Sequence, residues 1–235
     1  MVTSTAPSVG AGRVGAVLGG RDRSTGRSTK SSAEVAPEEK VVIAALRCCA
    51  RWGHTKTTLD DVAREAGISR ATVYRLFPGG KAPLMEAMVR HEVSRLMRAV
   101  SAATNSARGL EDFLGRGMVA TAEFVSDHEA LQYLLAHEPE VILPHLAFDR
   151  LKPLFSTAAA FLVPRLRRFV DEQTAEELSE WVVRLVMSYI FVPSPSIDLR
   201  DEYDARRLVR SFVLPGVEKA ARCSSGASPI QMGAH

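Results

Sequence analysis

The stretch from Thr58 to Lys81, TLDDVAREAGISRATVYRLFPGGK, constrains the fold more than any other part of the chain. Leu59, Val62, Ala63 and Ala66 recur at helical spacing and so share one apolar face, and Thr57 or Thr58 stands where an N-cap is wanted. Gly67 stops that helix. Ser69 is placed to cap the next one, with Ile68 outside it as a hydrophobic staple. Val73, Leu76 and Phe77 supply the buried side of a segment that Pro78, Gly79 and Gly80 end. A short helix, a glycine turn and a second short helix form a helix-turn-helix, whose second helix fits a DNA major groove.

The flanking sequence reads as helix throughout. Pro37 suits a first helical position, Glu38 and Glu39 suit a first turn, and Val42, Ile43, Leu46, Cys49 and Ala50 follow on one face up to a cap at Gly53. Further helices are predicted over 81–107, 110–127 and 130–138. The apolar but proline-punctuated stretch 146–170 is predicted to kink at Pro153 and Pro164. A capping box from Thr174 to Glu177 predicts the start of a helix reaching to about Val192. A last helix over 203–221 should bend or end early at Pro215. The predicted fold class is all-α. A disordered basic arm is expected over 1–34, a DNA-binding head over 35–84, a larger helical domain over 85–222 and a flexible tail over 223–235.

Charge supports this division. Of the net +3, the residues up to Ala36 carry +3 and Pro37 to Met85 another +3, leaving the remainder at −3, so the basic side that would meet a polyanion lies in the N-terminal third. The arm is either a solvated tail or an added set of phosphate or minor-groove contacts. Its GGRDRSTGRST run lacks the spacing and lysine of a phosphate loop. No apolar run approaches the roughly 18 residues that span a bilayer, and VGAVLGG is short and glycine-rich for a secretory signal, so a cytoplasmic protein without a membrane partner is expected. Cys48, Cys49 and Cys223 form an odd set without metal spacing, and the adjacent pair is expected to pack as small apolar residues.

The helix ending in Trp52-Gly53, the motif TTLDDVAREAGISRATVYRLF, the lysine soon after it and about 150 further residues of helix together resemble the TetR family of bacterial transcriptional regulators. The specific likeness runs from Val41 to Leu84, about a fifth of the chain. It implies that Thr58 caps the second helix near a phosphate, that Ser69, Arg70, Ala71 and Thr72 open the recognition helix, and that Tyr74 and Lys81 reach the DNA backbone. Helical geometry sets Ala71 and Arg75 opposite buried Val73. Arg75 is then either a guanine or phosphate contact or a solvated charge, and Ala71 is a candidate for a thymine methyl. Two positions depart from the family pattern: Leu76 stands where histidine is common, and the turn before Lys81 is longer.

The resemblance further implies a homodimer on a palindromic operator, with the last two long helices forming a four-helix interface. Trp181, Leu185, Phe212, Val213 and Val217 face either the partner or their own core. It implies no cofactor but a small-molecule effector, with Phe113, Phe124, Leu131, Leu135, Phe155, Leu162 and Val186 as candidate lining residues. The sequence is also similar to the acyl-CoA-responsive TetR-type regulators of bacterial fatty-acid synthesis, which implies a small apolar ligand, with a long-chain fatty acyl-CoA as its specific form, and a role in lipid metabolism. The alternatives are a repressor of efflux or detoxification genes answering a drug-like ligand, and a helical interaction protein without DNA binding. An enzyme is not expected: no HExxH, GxSxG or paired CxxC occurs. No metal site is expected either, because His128, His137 and His145 share no simple helical face.

Overall fold

The computed structural model describes residues 36–142 and 151–225. The basic arm over 1–34, residues 226–235 of the expected tail, Pro144, His145 and Phe148 lie outside the described residues. Among the described residues all regular structure is helical: α1 Pro37–Lys56, α2 Leu59–Ala66, α3 Arg70–Leu76, α4 Lys81–Thr104, α5 Leu110–Ser126, α6 Glu129–His137, α7 Pro139–Ile142, α8 Lys152–Leu166, α9 Glu172–Phe191, α10 Glu202–Leu208 and α11 Leu214–Ser225. None of these helices is long and apolar enough to cross a membrane.

Two apolar cores hold the helices together. The first is built from α1, α2, α3 and the start of α4, with Val41, Cys48, Val62, Val73, Phe77 and Met88 buried; Leu76 packs at its edge. Ala130 of α6 joins this core, so α6 is seated on α1. The second core gathers α5, α8, α9, α10 and α11 around Phe113, Met118, Leu166, Leu178 and Leu208. On the outside of α5, Asp112 pairs with Arg116 of its own helix and with Arg206 of α10, and Glu111 pairs with Arg210 at 2.6 Å.

Among the helix boundaries that differ from the sequence expectation, three have a clear local cause. α1 does not stop at Gly53; it takes one non-helical step there, at φ 82° and ψ 167°, and continues to Lys56. α9 begins at Glu172 because Asp171, not Thr174, is its cap, accepting the Thr174 N–H at 2.9 Å and the Thr174 hydroxyl at 2.7 Å. The last helix does not end early at Pro215 but leaves regular α register just before it. A π-helical turn over Val209–Val213 precedes the proline, with the Leu214 N–H donating to the Val209 carbonyl. The wider turn makes room at the carbonyl of Ser211, which a proline ring in regular α register would strike.

Candidate nucleic-acid interface and ligand cavity

The head is organised by local caps. The Thr58 hydroxyl accepts the Asp61 N–H at 3.2 Å while the Asp61 carboxylate accepts the Thr58 N–H at 3.1 Å, a reciprocal box at the start of α2. The hydrogen bonds from Thr58 hold the Asp61 carboxyl below its ordinary range. Gly67 takes the left-handed conformation, φ 66° and ψ 32°, that closes α2. The Ser69 hydroxyl then caps α3 by accepting the Thr72 N–H at 3.1 Å and lies 2.9 Å from the Thr72 hydroxyl.

The polar residues expected at DNA differ in how they are engaged. Ser69, Ala71, Tyr74 and Arg75 are exposed on the outer side of α3, and Tyr74 and Arg75 have no hydrogen-bond or ion-pair partner among the described residues. Lys56, which the sequence pattern did not single out, is likewise exposed and unpartnered among the described residues, two residues before the α2 cap. The signal for it was an isolated lysine ahead of a capped helix. Arg70 is instead paired with Asp60 across the turn. Lys81 departs furthest from expectation: its ammonium donates to the carbonyls of His54 at 2.9 Å and Thr55 at 3.2 Å. The left-handed step at Gly53 presents these carbonyls to α4, so at most one Lys81 N–H remains for a phosphate.

Of the remaining head charges, Arg47 and Arg51 both pair with Glu65, and Arg64 pairs with Asp61. The two cysteines of α1 are buried, and burial, followed by the nearby Glu65 carboxylate, pushes the Cys48 thiol up to about 11. At pH 8 such a thiol is ionised to roughly one part in a thousand, and burial raises Cys49 as well. In a Cys223→Ser variant, a thiol reagent should therefore leave the folded protein unlabelled over hours and label both cysteines at once in denaturant. Rapid native labelling would contradict this packing.

The body contains an apolar cavity of about 210 Å³. Leu96, Met97 and Val100 of α4, Phe113, Leu114 and Met118 of α5, Leu131 of α6, Leu154, Phe161 and Leu162 of α8, and Val182, Val186 and Met187 of α9 line it. Among the described residues Thr121 brings the one hydroxyl to its lining, and this donates to the Gly117 carbonyl at 2.7 Å. Four candidates, Phe113, Leu131, Leu162 and Val186, face this space, and three do not. Phe124 and Phe155 stand about 100° around their helices from lining neighbours Val125 and Leu154. Each is covered by a guanidinium instead: Arg95 lies 5.5 Å from the Phe124 ring and Arg184 4.8 Å from the Phe155 ring. Leu135, one turn beyond Leu131, lines a neighbouring groove with Gln132, Tyr189 and Ile197.

On the candidate dimer face, Trp181 is 42% and Phe212 67% exposed, whereas Val213 is 3% exposed and belongs to the core of its own protomer. The π-turn sets Val213 inward beside Val209. Leu185 and Val217 pack partly against that same core. Among the histidines, His128 caps α6 by accepting the Leu131 N–H on Nδ1 at 3.1 Å, and its Nε2 lies 3.0 Å from Glu92. His137 stacks on Tyr133 with ring centroids 4.5 Å apart. Among the described residues no group of His, Cys, Asp or Glu is placed to hold a metal ion.

A capped helix-turn-helix with an exposed polar face, carried on a helical body, defines a DNA-binding protein of the regulator type. Known proteins agree. Residues 42–88 match the family model described as bacterial regulatory proteins, tetR family. The chain is 32% identical to the HTH-type transcriptional regulator AlkX of Mycobacterium tuberculosis over 163 residues, covering 66% of this chain and 74% of that one. It is 29% identical to an uncharacterized HTH-type transcriptional regulator of the same species over 204 residues, 87% of this chain and 94% of the relative. The crystal structure of the TetR family repressor AlkX from a Dietzia strain superposes with a TM-score of 0.59 at 20% identity, covering 78% of this chain and 96% of that one. The chain belongs to the TetR family: it is a DNA-binding transcriptional regulator and not an enzyme.

Proposed function

We propose that this regulator binds a palindromic operator as a homodimer in the cytoplasm, and that an aliphatic chain held in the body controls its DNA affinity. The acyl chain of a long-chain fatty acyl-CoA is the specific form of ligand we favour. The observation that carries this reading is the chemistry of the cavity wall, which among the described residues offers almost entirely hydrocarbon and thioether surface and no charged side chain. A buried charge without a partner is strongly disfavoured, so any charged group of the ligand must remain outside. The Arg165 guanidinium, 3.7 Å over the ring of cavity-lining Phe161, puts a positive charge close to the cavity without entering it. The Dietzia repressor, which shares the fold, is implicated in the biodegradation of n-alkanes.

Size also bears on mechanism. At about 210 Å³ the cavity exceeds the roughly 150 Å³ apolar hole that takes up benzene, yet falls short of the roughly 300–1,000 Å³ of drug-sized sites. A long chain therefore enters only if its walls separate. One wall is α4, whose first residue, Lys81, holds the end of α1. Displacing α4 moves the head, and a ligand that binds the displaced state better shifts the population away from DNA.

In the head, Tyr74 and Arg75 carry the main contacts in this reading, with Ser69, Ala71, Thr72, Thr58 and Lys56 beside them and with Arg70 and Lys81 holding the motif in shape. Trp181 and Phe212 supply the exposed centre of the dimer face. Binding of the chain's own upstream DNA, followed by fluorescence anisotropy, tests the reading. Tyr74→Phe with Arg75→Ala should weaken specific binding about tenfold, and affinity should fall steeply with salt. Decanoyl-CoA or palmitoyl-CoA should weaken it further, while free CoA should not. Sequence-indifferent binding would defeat the operator reading. A response only to cationic drug-like dyes would move the effector to the detoxification class.

A further inference from the structure

We propose that Glu138 is the positioning residue that ties the DNA-binding head to the ligand-binding body, by gripping the backbone of His54 and Thr55. The inference deepens the regulator reading above and rests on it for its functional consequence. Its basis is geometric. The Glu138 carboxylate, at the end of α6, accepts the His54 N–H at 2.7 Å and the Thr55 N–H at 3.2 Å. The carbonyls of the same two residues accept the Lys81 ammonium from the start of α4. One dipeptide is thus held between a carboxylate from α6 and an ammonium from α4, each charge meeting the backbone groups of complementary polarity.

The grip is close. Gly53, just before the dipeptide, is buried, and a Cβ there would lie 2.5 Å from the Glu138 carboxylate oxygen and 2.9 Å from the Tyr133 ring. The Thr57 hydroxyl donates to the Gly53 carbonyl at 2.6 Å, which passes the constraint to the residue before the Thr58 cap of α2. Burial pushes the Glu138 carboxyl up, but the Thr55 and His54 N–H groups outweigh it and hold the group below its ordinary range. It is therefore ionised at neutral pH.

Both gripping helices also border the cavity, α6 through Leu131 and α4 through Leu96, Met97 and Val100. Leu131 and Glu138 are seven residues apart on one short helix and its cap, roughly 10 Å of rise. A chain that separates α4 from α6 pulls the two jaws apart, and the dipeptide cannot follow both. The position of the recognition helix is then set by which jaw keeps its hydrogen bonds.

Glu138→Ala and Glu138→Gln in the full chain test this, after circular dichroism has established that both fold. Amide exchange needs neither DNA nor ligand: His54 and Thr55 should exchange at least tenfold faster in Glu138→Ala and at an intermediate rate in Glu138→Gln, with α3 unchanged. Equal rates would overturn the grip. In the DNA assay, saturating decanoyl-CoA should raise the wild-type Kd at least tenfold; in Glu138→Ala the head is held by Lys81 alone and follows α4 without opposition, so the half-maximal probe concentration should fall at least threefold. An unchanged half-maximal concentration in Glu138→Ala would overturn the coupling. If the wild type binds DNA but ignores the probe, the effector reading fails by itself, and the exchange rates still decide whether Glu138 holds the head.

Discussion

Gly53→Ala should destabilise the protein by about 3–5 kcal/mol, seen as a lower urea midpoint with an unchanged slope. Two effects add at this position. The backbone sits at φ 82° and ψ 167°, a region essentially reserved for glycine and worth about 1–3 kcal/mol of strain for any other residue. The new methyl would also lie 2.5 Å from the Glu138 oxygen, so that carboxylate must withdraw from the two N–H groups it accepts. Losing hydrogen bonds to a charged group adds about 1.5–3 kcal/mol. Gly67→Ala is the matched control. Gly67 has φ 66°, but nothing lies within 4 Å of the point a methyl would occupy, so it should lose only the left-handed strain, about 1–2 kcal/mol. If the two variants lose equal stability, the Glu138 contact is slack and the strain alone explains both.

The contrast between those glycines marks what the sequence makes legible. Gly67, Thr58 and Ser69 act on partners within four residues, and helix and cap rules are written at that range, so the helix-turn-helix could be read directly. Asp171 was legible too, but Thr174 with Glu177 offered a competing box three residues later. Asp171 prevails because its carboxylate takes both the N–H and the hydroxyl of Thr174. The clamp was not legible. Glu138 meets His54 across 84 residues and Lys81 meets it across 27, and in each case the partner is a backbone atom that leaves no mark on residue type.

The cavity was legible by halves. Helical periodicity identifies inward positions, and Phe113, Leu131, Leu162 and Val186 do face the space. Periodicity does not separate a filled core from a hollow one, however, and it treats every large aromatic as inward. Phe124 and Phe155 lie at the helix flanks, where an arginine covers the ring and keeps its own charge in water. The Arg70 to Asp60 pair across the turn was missed for a related reason: the angle between α2 and α3 brings the two together.

Phe113→Ala should lower stability by about 3–5 kcal/mol and at the same time shift ligand preference toward longer chains. Phe113 is 2% exposed, its ring centroid lies 5.7 Å from that of Phe169, and it forms part of the cavity wall. Truncating a core side chain usually lets its neighbours relax into part of the hole, which is why such losses vary widely. Here the vacated space opens into an existing cavity, so collapse would have to draw in α4, α8 and α9 together. The loss should fall near the upper end, beyond that of Leu166→Ala, whose equally buried side chain does not line the cavity. The same enlargement gives a chain more room before α4 must move. Palmitoyl-CoA should therefore gain affinity relative to decanoyl-CoA in calorimetry, while its effect on DNA binding at saturation shrinks. A loss below about 2 kcal/mol would mean that the walls close over the vacancy. An unchanged chain-length preference would mean that the ligand is held elsewhere, because a pocket that gains the volume of a phenyl ring cannot keep the same length limit.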